Sequence, residues 1–172
     1  MVRPIAQAEL LGIFDLAAKA GGAAAALAAV EAASARRFGH LLLSVMLHHP
    51  GLGEVERLYS STPSVFPIGG RKKRRDTPWG LQVLGRGEPF IGNGPEVIRA
   101  TFADHALIAG CGVTAMLNMP AMLDGRCRGT LNIGRAAPFA AADLPAARLL
   151  AFALLPLLLA AAAPPLDPAP PP

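Results

Sequence analysis

Asp104 and His105 are adjacent in the segment FADHALIAG, and a carboxylate beside an imidazole is the pairing with the clearest chemical potential in this chain. A carboxylate can tune an imidazole as a base, but adjacent residues on a helix point about 100° apart, so neighbours in sequence do not form a catalytic dyad. Asp104 can instead cap a helix that begins at His105. Helix capping or packing and ligand recognition are therefore the two interpretations of this pair, and catalysis is not predicted.

Two asparagines occupy the middle of apolar strands in the stretch NMPAMLDGRCRGTLNIG. Asp124 and Gly125 predict a tight two-residue hairpin turn. Counting from that turn pairs Asn118 with Leu131 and places Asn118 and Asn132 on opposite faces, unless a bulge shifts the register. A buried amide without a partner costs roughly 1–3 kcal/mol, so Asn118 must bond to backbone, water or a ligand. Asn132 is predicted to be structural.

Three further side chains are candidates for ligand contact. Trp79, the only tryptophan, is either a wall of a pocket or a core residue. Tyr59, the only tyrosine, ends a predicted strand, where its hydroxyl faces a pocket or water. Lys72 belongs to the basic run RKKRR at 71–75, which is predicted to be a solvated loop but can hold an anionic ligand if it folds inward.

Metal and disulfide chemistry are not indicated. Cys111 and Cys127 lack the CxxC or Cys/His spacing of a metal site, and no secretory signal precedes them, so a reducing cytoplasm is predicted. His48 and His49 alternate faces on a predicted strand, so they cannot share a metal ion. The cysteines are predicted to be buried, inert thiols.

Composition favours one folded domain. The chain has 172 residues, of which 52% are hydrophobic and 16% charged. The net charge is +4, but five of the sixteen basic residues lie at 71–75, and without them it is −1, so no nucleic-acid partner is predicted. The apolar stretch at 149–163 contains Pro156 and is shorter than the roughly 18–20 residues of a membrane span, so a core or interface helix is expected rather than a membrane partner.

The periodicity predicts an α+β arrangement in which an antiparallel sheet carries helices. The chain between 61 and 112 is rich in glycine and proline, and a segment of this length is usually functional when it is ordered. The predicted elements are helices over 4–19, 23–37, 78–86, 94–108 and 141–163, strands over 40–49, 54–61 and 88–92, and a hairpin over 113–134, followed by a proline-rich tail at 164–172.

Four segments in this order resemble a GAF domain: ERLYSSTPSVFPIGGRK, TPWGLQVLGRGEPFIG, EVIRATFADHALIAGCG and TAMLNMPAMLDGRCRGTLNIG. The resemblance runs over residues 36–160 and is closest to stand-alone bacterial GAF proteins. It implies a GAF-like (profilin/PAS-like) central antiparallel sheet, with terminal helices on one face and crossover loops enclosing a pocket on the other. Residues 1–35 would be helices that pack on the sheet or at a dimer interface, and 36–163 the GAF domain.

The resemblance implies a sensory or regulatory domain that binds an unidentified small molecule, without an output domain of its own. It does not name the ligand or a cofactor, since no cyclic-nucleotide signature or bilin-attachment cysteine is present. A homodimer through the terminal helices is expected. The predicted ligand-binding residues are Tyr59, Lys72, Trp79, Phe102, Asp104, His105 and Asn118.

Two alternatives remain. One GAF-like family, the free methionine sulfoxide reductases, uses cysteines around the pocket for thiol redox chemistry, but the segment LGRGEPFIGNG lacks the cysteine such enzymes carry there. A ligand-free dimeric interaction scaffold is the other. We predict a binding protein rather than an enzyme.

Overall fold

A six-stranded antiparallel sheet forms the centre of the molecule. The computed structural model describes residues 4–73 and 76–163. The strands are β1 (Leu42–His49), β2 (Glu54–Ser60), β3 (Arg71–Lys73), β4 (Phe90–Asn93), β5 (Ala115–Leu123) and β6 (Arg126–Arg135). Their order across the sheet is β3-β2-β1-β6-β5-β4, and every neighbouring pair is antiparallel.

Helices cover both faces of this sheet. The terminal helices pack on one face over Val45, Leu117 and Leu131, whereas the chain between β3 and β5 covers the other. This confirms the predicted α+β, GAF-like architecture. The helices are α1 (Gln7–Ala17), α2 (Ala23–Phe38), α3 (Pro95–Thr101), α4 (His105–Gly110), α5 (Leu144–Ala153) and α6 (Leu155–Ala162), with a π-helical turn at Gly80–Gly85 and a 3₁₀ turn at Ala141–Asp143.

Helix α2 packs against the sheet and contributes to its hydrophobic core. It ends at Phe38, where Gly39 adopts a left-handed conformation with φ of 61°. Val30, Ala33 and Phe38 are buried in the same cluster as the terminal helices. The predicted domain boundary between residues 35 and 36 therefore falls inside a helix that packs on the sheet.

The predicted closing helix is broken in two. Pro156 lies in the first turn of α6, and the chain bends by 41° between Ala141–Ala153 and Leu155–Ala162. Leu150, Leu154 and Leu158 are fully buried against the sheet. No single helix in the described part of the chain is long and apolar enough to cross a membrane, and this bent pair passes that test only when its halves are counted together.

A β-bulge shifts the register of the β5–β6 hairpin. Leu123 pairs with Arg126 at the predicted turn, but Arg128 is an extra residue on β6, so Asn118 stands opposite Asn132 rather than Leu131. Directly opposite residues of an antiparallel pair share a face. The prediction that the two asparagines point opposite ways is therefore wrong, because of this bulge.

A second bulge lies between β1 and β2. Met46 pairs with Arg57 and Val45 pairs with Tyr59, so Leu58 is the extra residue. Arg57 and Tyr59 consequently face opposite sides of the sheet. Simple alternation along β2 would have placed them together.

The basic run forms part of the sheet edge. Arg71 and Lys73 stand opposite Glu56 and Glu54, and the Arg71 guanidinium lies 2.8 Å from the Glu56 carboxylate. Cross-strand charge pairing and a charged edge are typical of short outer strands. For Arg71–Lys73 the predicted solvated loop is wrong; the remainder of the run at 74–75 and the predicted tail at 164–172 lie outside the described residues.

Candidate functional site

A cavity of about 60 Å³ lies between the sheet and the chain that crosses over it. Its walls are mostly apolar and include Leu42, Met46, Phe66, Trp79, Phe102 and Met116. Its polar lining consists of Ser44, Arg57, Lys72, Asp104, Asn118 and Asn132. An apolar cavity with a few placed polar groups is the usual form of a small-molecule site.

A chain of hydrogen bonds crosses the floor of the cavity. Trp79 Nε1 donates to Asn118 Oδ1 over 3.0 Å, and Asn118 Nδ2 donates to Asn132 Oδ1 over 2.7 Å. Asn132 Nδ2 then donates to Ser44 Oγ over 3.2 Å. All four residues are buried, so the network satisfies polar groups that would otherwise be costly. It joins three strands to the crossover.

Trp79 is positioned by the π-helical turn that follows it. The Thr77 hydroxyl accepts the Gly80 N–H over 3.0 Å, and Leu81 N–H donates to the Thr77 carbonyl over 2.9 Å. The indole is only 6% exposed. The turn therefore holds the indole N–H over Asn118, with the ring against the cavity wall.

Arg57 places a buried positive charge at the cavity. The residue is 7% exposed; Nη1 donates to the Pro67 carbonyl over 3.1 Å, and its guanidinium lies 5.3 Å from the ring centroid of Phe66. Its Nε has no hydrogen-bond partner among the described residues. Burial lowers the pKa of Arg57, and the nearby Asp104 charge opposes this shift. An arginine so placed stays charged.

An ion pair joins the sheet edge to the crossover. Lys72 Nζ lies 2.5 Å from Asp104 Oδ2, and the two side chains are 34% and 18% exposed, so the pair borders the cavity where it meets solvent. Asp104 makes no side-chain capping hydrogen bond to α4. The capping interpretation is therefore wrong, and the carboxylate bridges β3 instead.

Five predicted site residues line this cavity together: Lys72, Trp79, Phe102, Asp104 and Asn118. Phe102 does so because the predicted helix over 94–108 is interrupted there; its backbone is extended, and its ring packs edge-on against Phe90 at 5.9 Å. The interruption turns both Phe102 and Asp104 toward the sheet.

Tyr59 does not line the cavity, contrary to the sequence prediction. The bulge at Leu58 directs Tyr59 to the helical face, where its hydroxyl donates a short hydrogen bond to Glu31 of α2. Burial first, and then the Glu31 carboxylate, raise the pKa of Tyr59 to about 12. Tyr59 therefore joins the sheet to α2.

His105 also lies apart from the cavity. Its Nδ1 is 3.1 Å from the Phe102 carbonyl, and its ring borders a second depression, between α3 and α4, of about 150 Å³. That depression is larger, but none of its lining residues is a buried polar one. We therefore place the candidate site at the cavity beside Asn118.

Sequence reasoning missed three polar lining residues: Ser44, Arg57 and Asn132. Ser44 carried a signal, since it is the only polar residue in the run LLLSVML. Arg57 was an ordinary member of an alternating strand. Asn132 was assigned to the other face because its position depends on the bulge at Arg128.

The cysteines do not line the cavity. Cys127 is buried, and its Sγ donates to the Gly129 carbonyl over 3.2 Å. Burial raises the pKa of the Cys127 thiol to about 11, although that hydrogen bond opposes the shift. Cys111 is partly buried. Among the described residues, no group of three or more His, Cys, Asp or Glu side chains is arranged to hold a metal ion.

Solved structures of low sequence identity share this fold. No protein-family model matches the sequence, and no curated protein matches it. The GAF domain of a phosphoenolpyruvate-protein phosphotransferase from Acinetobacter is 15% identical with a TM-score of 0.69, covering 93% of this chain and 96% of that one. The corresponding domain from Coxiella burnetii is 20% identical with a TM-score of 0.63, covering 90% and 92%.

A segment of a methyl-accepting chemotaxis protein gives a TM-score of 0.62 at 12% identity, covering 88% of this chain and 99% of that one. Similarity at this level of identity establishes the fold and not the ligand. The sheet order, the helical face and the covered cavity agree with the resemblance seen in the sequence. The chain therefore has the fold of the GAF domains.

Proposed function

We propose that this chain is a sensory or regulatory domain that binds a small molecule in the cavity between the sheet and the crossover. The observation that carries the proposal is the buried chain of hydrogen bonds from Trp79 to Ser44, which lines the cavity together with Arg57. Polar groups fixed in an apolar cavity fit ligand recognition. The chemotaxis protein among the structural neighbours supports a sensory setting.

The cavity limits the ligand that fits without movement. Its volume of about 60 Å³ is well below the ~150 Å³ of a cavity that holds benzene. A small ligand fits as the chain stands. A larger one requires the crossover to open, and the Lys72–Asp104 ion pair holds that crossover to β3.

A homodimer through the terminal helices is the proposed route by which the bound state is passed on. Helices α5 and α6 expose an apolar stripe whose members recur every three or four residues: Pro145, Leu149, Phe152, Pro156 and Leu159. Such spacing is typical of a face that packs on another helix. Leu11 and Phe14 form a similar exposed pair on α1.

The cytoplasm is the proposed location, because both cysteines are unpaired.

The thiol redox alternative has less support than ligand binding. Redox cysteines are accessible and have a low pKa, whereas Cys127 is buried with its pKa raised to about 11. The small volume of the cavity favours the other alternative, a ligand-free scaffold. The two remaining functions therefore differ in one observable, the presence of a ligand.

Native mass spectrometry of freshly purified protein tests this difference. We expect an additional mass that is lost on denaturation, or, if the ligand dissociates during purification, binding of a compound from a metabolite screen followed by Trp79 fluorescence. Ser44→Leu, which fills the cavity, should abolish either signal. Arg71→Gln, which removes a cation that does not line the cavity, should preserve it. A folded protein that binds no compound in any of these experiments would refute the proposal in favour of the scaffold.

A further inference from the structure

The charges that line the cavity sum to a positive value. Arg57 and Lys72 contribute two cations, and Asp104 contributes one anion, so the described lining residues carry a net charge of +1. Lys72 is paired with Asp104. Arg57 is the cation of this set that no carboxylate contacts within 4 Å among the described residues. A ligand with a single negative charge would balance the cavity.

The polar groups that line the cavity with Arg57 offer hydrogen-bond donors. One N–H of Asn132 Nδ2 is used in the bond to Ser44 Oγ, which leaves its second N–H and the Ser44 hydroxyl hydrogen. Arg57 Nη1 donates a hydrogen bond to the Pro67 carbonyl, whereas Nη2 donates to no described residue. Ser44 is directly opposite Asn132, and Arg57 is on the next strand along. Donors from these three residues line one cavity, and charge-assisted and neutral donors in such a set suit a carboxylate.

The rest of the wall and the volume limit what the carboxylate is attached to. Met46, Phe66 and Met116 present apolar surface. A volume of about 60 Å³ suits roughly four to six water-sized groups, since each needs ~10–15 Å³ of such space. A dianion would exceed the net charge of the lining, and a large aromatic ligand would exceed the volume.

We propose that the ligand of this cavity is a short-chain aliphatic monocarboxylate, with its carboxylate on Arg57, Ser44 and Asn132 and its alkyl chain against Met46 and Met116. This assignment rests on the proposed function and specifies the ligand class of the same site. Arg57 is the specificity-determining residue, and the remaining donors orient the carboxylate.

The test is a titration of the full chain with four probes at constant ionic strength: propionate, propionamide, propylamine and inorganic phosphate. The indole N–H resonance of Trp79 is the readout, since the chain has one tryptophan and this N–H bonds to Asn118 in the cavity floor. We expect propionate to bind with a dissociation constant of about 1 mM, within the limit for so small a ligand. Propionamide has nearly the same shape without the charge and should bind at least about tenfold more weakly.

Variants of Arg57 and Ser44 test whether these residues bind propionate. Arg57→Met should weaken the binding of propionate at least about tenfold and leave the dissociation constant of propionamide unchanged. Ser44→Ala removes one hydrogen-bond donor but keeps the Arg57 charge, and it should weaken the binding of propionate about fivefold. This variant provides the test if Arg57→Met does not fold. Arg71→Gln removes the same charge from a residue outside the cavity and should have no effect.

The outcomes distinguish a failure of the carboxylate class from a failure of ligand binding itself. If propionamide or propylamine binds as tightly as propionate, the carboxylate class is refuted while ligand binding in the cavity stands. The same conclusion follows if phosphate displaces propionate, or if neither Arg57→Met nor Ser44→Ala weakens it. If no probe and no screened compound moves the Trp79 resonance, both the ligand class and the proposed function fail.

Discussion

Asn118 and Asn132 stand directly opposite each other on β5 and β6, and Nδ2 of Asn118 donates to Oδ1 of Asn132 over 2.7 Å in the buried floor of the cavity. The bulge at Arg128 creates this pair. It also leaves Asn118 Oδ1 to accept the indole N–H of Trp79. The β5–β6 hairpin is thereby connected to the crossover that covers the cavity.

Replacing Asn118 should destabilise the protein and release the indole. Asn118→Leu removes the acceptor of the Trp79 indole N–H and the donor to Asn132 Oδ1, so we expect the free energy of unfolding to fall by about 1–3 kcal/mol for each of these two buried hydrogen bonds. Urea denaturation followed by circular dichroism measures the loss. Trp79 emission should change in the native state.

A double-mutant cycle provides the control for this prediction. Trp79→Phe removes the indole donor, so Asn118→Leu should cost less in that background than in the native chain. Equal costs in the two backgrounds would show that the Trp79–Asn118 hydrogen bond does not contribute to stability.

Tyr59 should titrate far above an ordinary tyrosine. Its pKa is raised to about 12, by burial first and then by Glu31, and it is the only tyrosine, so ultraviolet absorbance of tyrosinate reports it alone. Because its folded pKa exceeds the unfolded value of about 10, its contribution to stability is full below pH 10 and is lost as the pH rises toward 12. Glu31→Gln should lower the midpoint but keep it above 10, since burial persists. A native midpoint near 10 would contradict the placement of Tyr59.

His40 should make the fold sensitive to mild acid. Its side chain is 6% exposed, its Nδ1 lies 3.0 Å from Ser34 Oγ, and its Nε2 lies 3.9 Å from Glu31. Burial lowers its pKa below 6.5, outweighing the opposing effects of Glu31 and Ser34. The unfolded chain then binds the proton more readily, so stability is full above pH 6.5 and falls as the pH drops through the folded pKa.

Thermal unfolding at pH 8 and pH 5 measures this effect. His40→Gln retains a neutral polar side chain and should reduce the difference between the two pH values. If the variant shows the same difference as the native chain, other groups are responsible for the acid sensitivity.

The two thiols should differ in reactivity. Cys127 is buried with a pKa raised to about 11, so little thiolate forms at pH 8, whereas Cys111 is partly exposed. A colorimetric disulfide reagent should modify at most one thiol rapidly in the native protein and both after unfolding. Cys111→Ser should abolish the rapid reaction. Rapid modification of Cys127 in that variant would instead revive the redox alternative.

Disrupting the apolar stripe on α5 and α6 should dissociate the proposed dimer. Leu149 and Phe152 are 44% and 43% exposed, so Leu149→Glu combined with Phe152→Glu adds charge without entering the core. Light scattering coupled to size-exclusion chromatography should show a dimer for the native chain and a monomer for this variant. Leu52→Glu, at a 59% exposed position between β1 and β2, is the matched control and should remain dimeric. A native monomer would refute the dimer.

Local signals in the sequence predicted much of the fold. The Asp124–Gly125 turn, the apolar runs of β1 and β5, and the glycines after the first two helices mark their elements through short-range preferences. The resemblance to GAF domains supplied the arrangement of sheet, helices and crossover. Five of the seven site residues predicted from the sequence line one cavity.

Only the tertiary structure decided which face several side chains occupy. Because side chains along a strand alternate, one extra residue moves everything beyond it to the other face. The bulges at Arg128 and Leu58 brought Asn132 to the cavity and took Tyr59 away from it.

The positions of the bulges depend on packing between distant segments. A Cβ at Gly129, next to the first bulge, would press on the Met46 carbonyl oxygen and lie 2.7 Å from Leu158 Cδ2. Such an approach of β6 to β1 and α6 is set by residues far apart in sequence. The Lys72–Asp104 ion pair, which spans 32 positions, has the same origin. Short-range preferences determined the elements of this protein, and contacts between distant segments determined which side chains meet at the cavity.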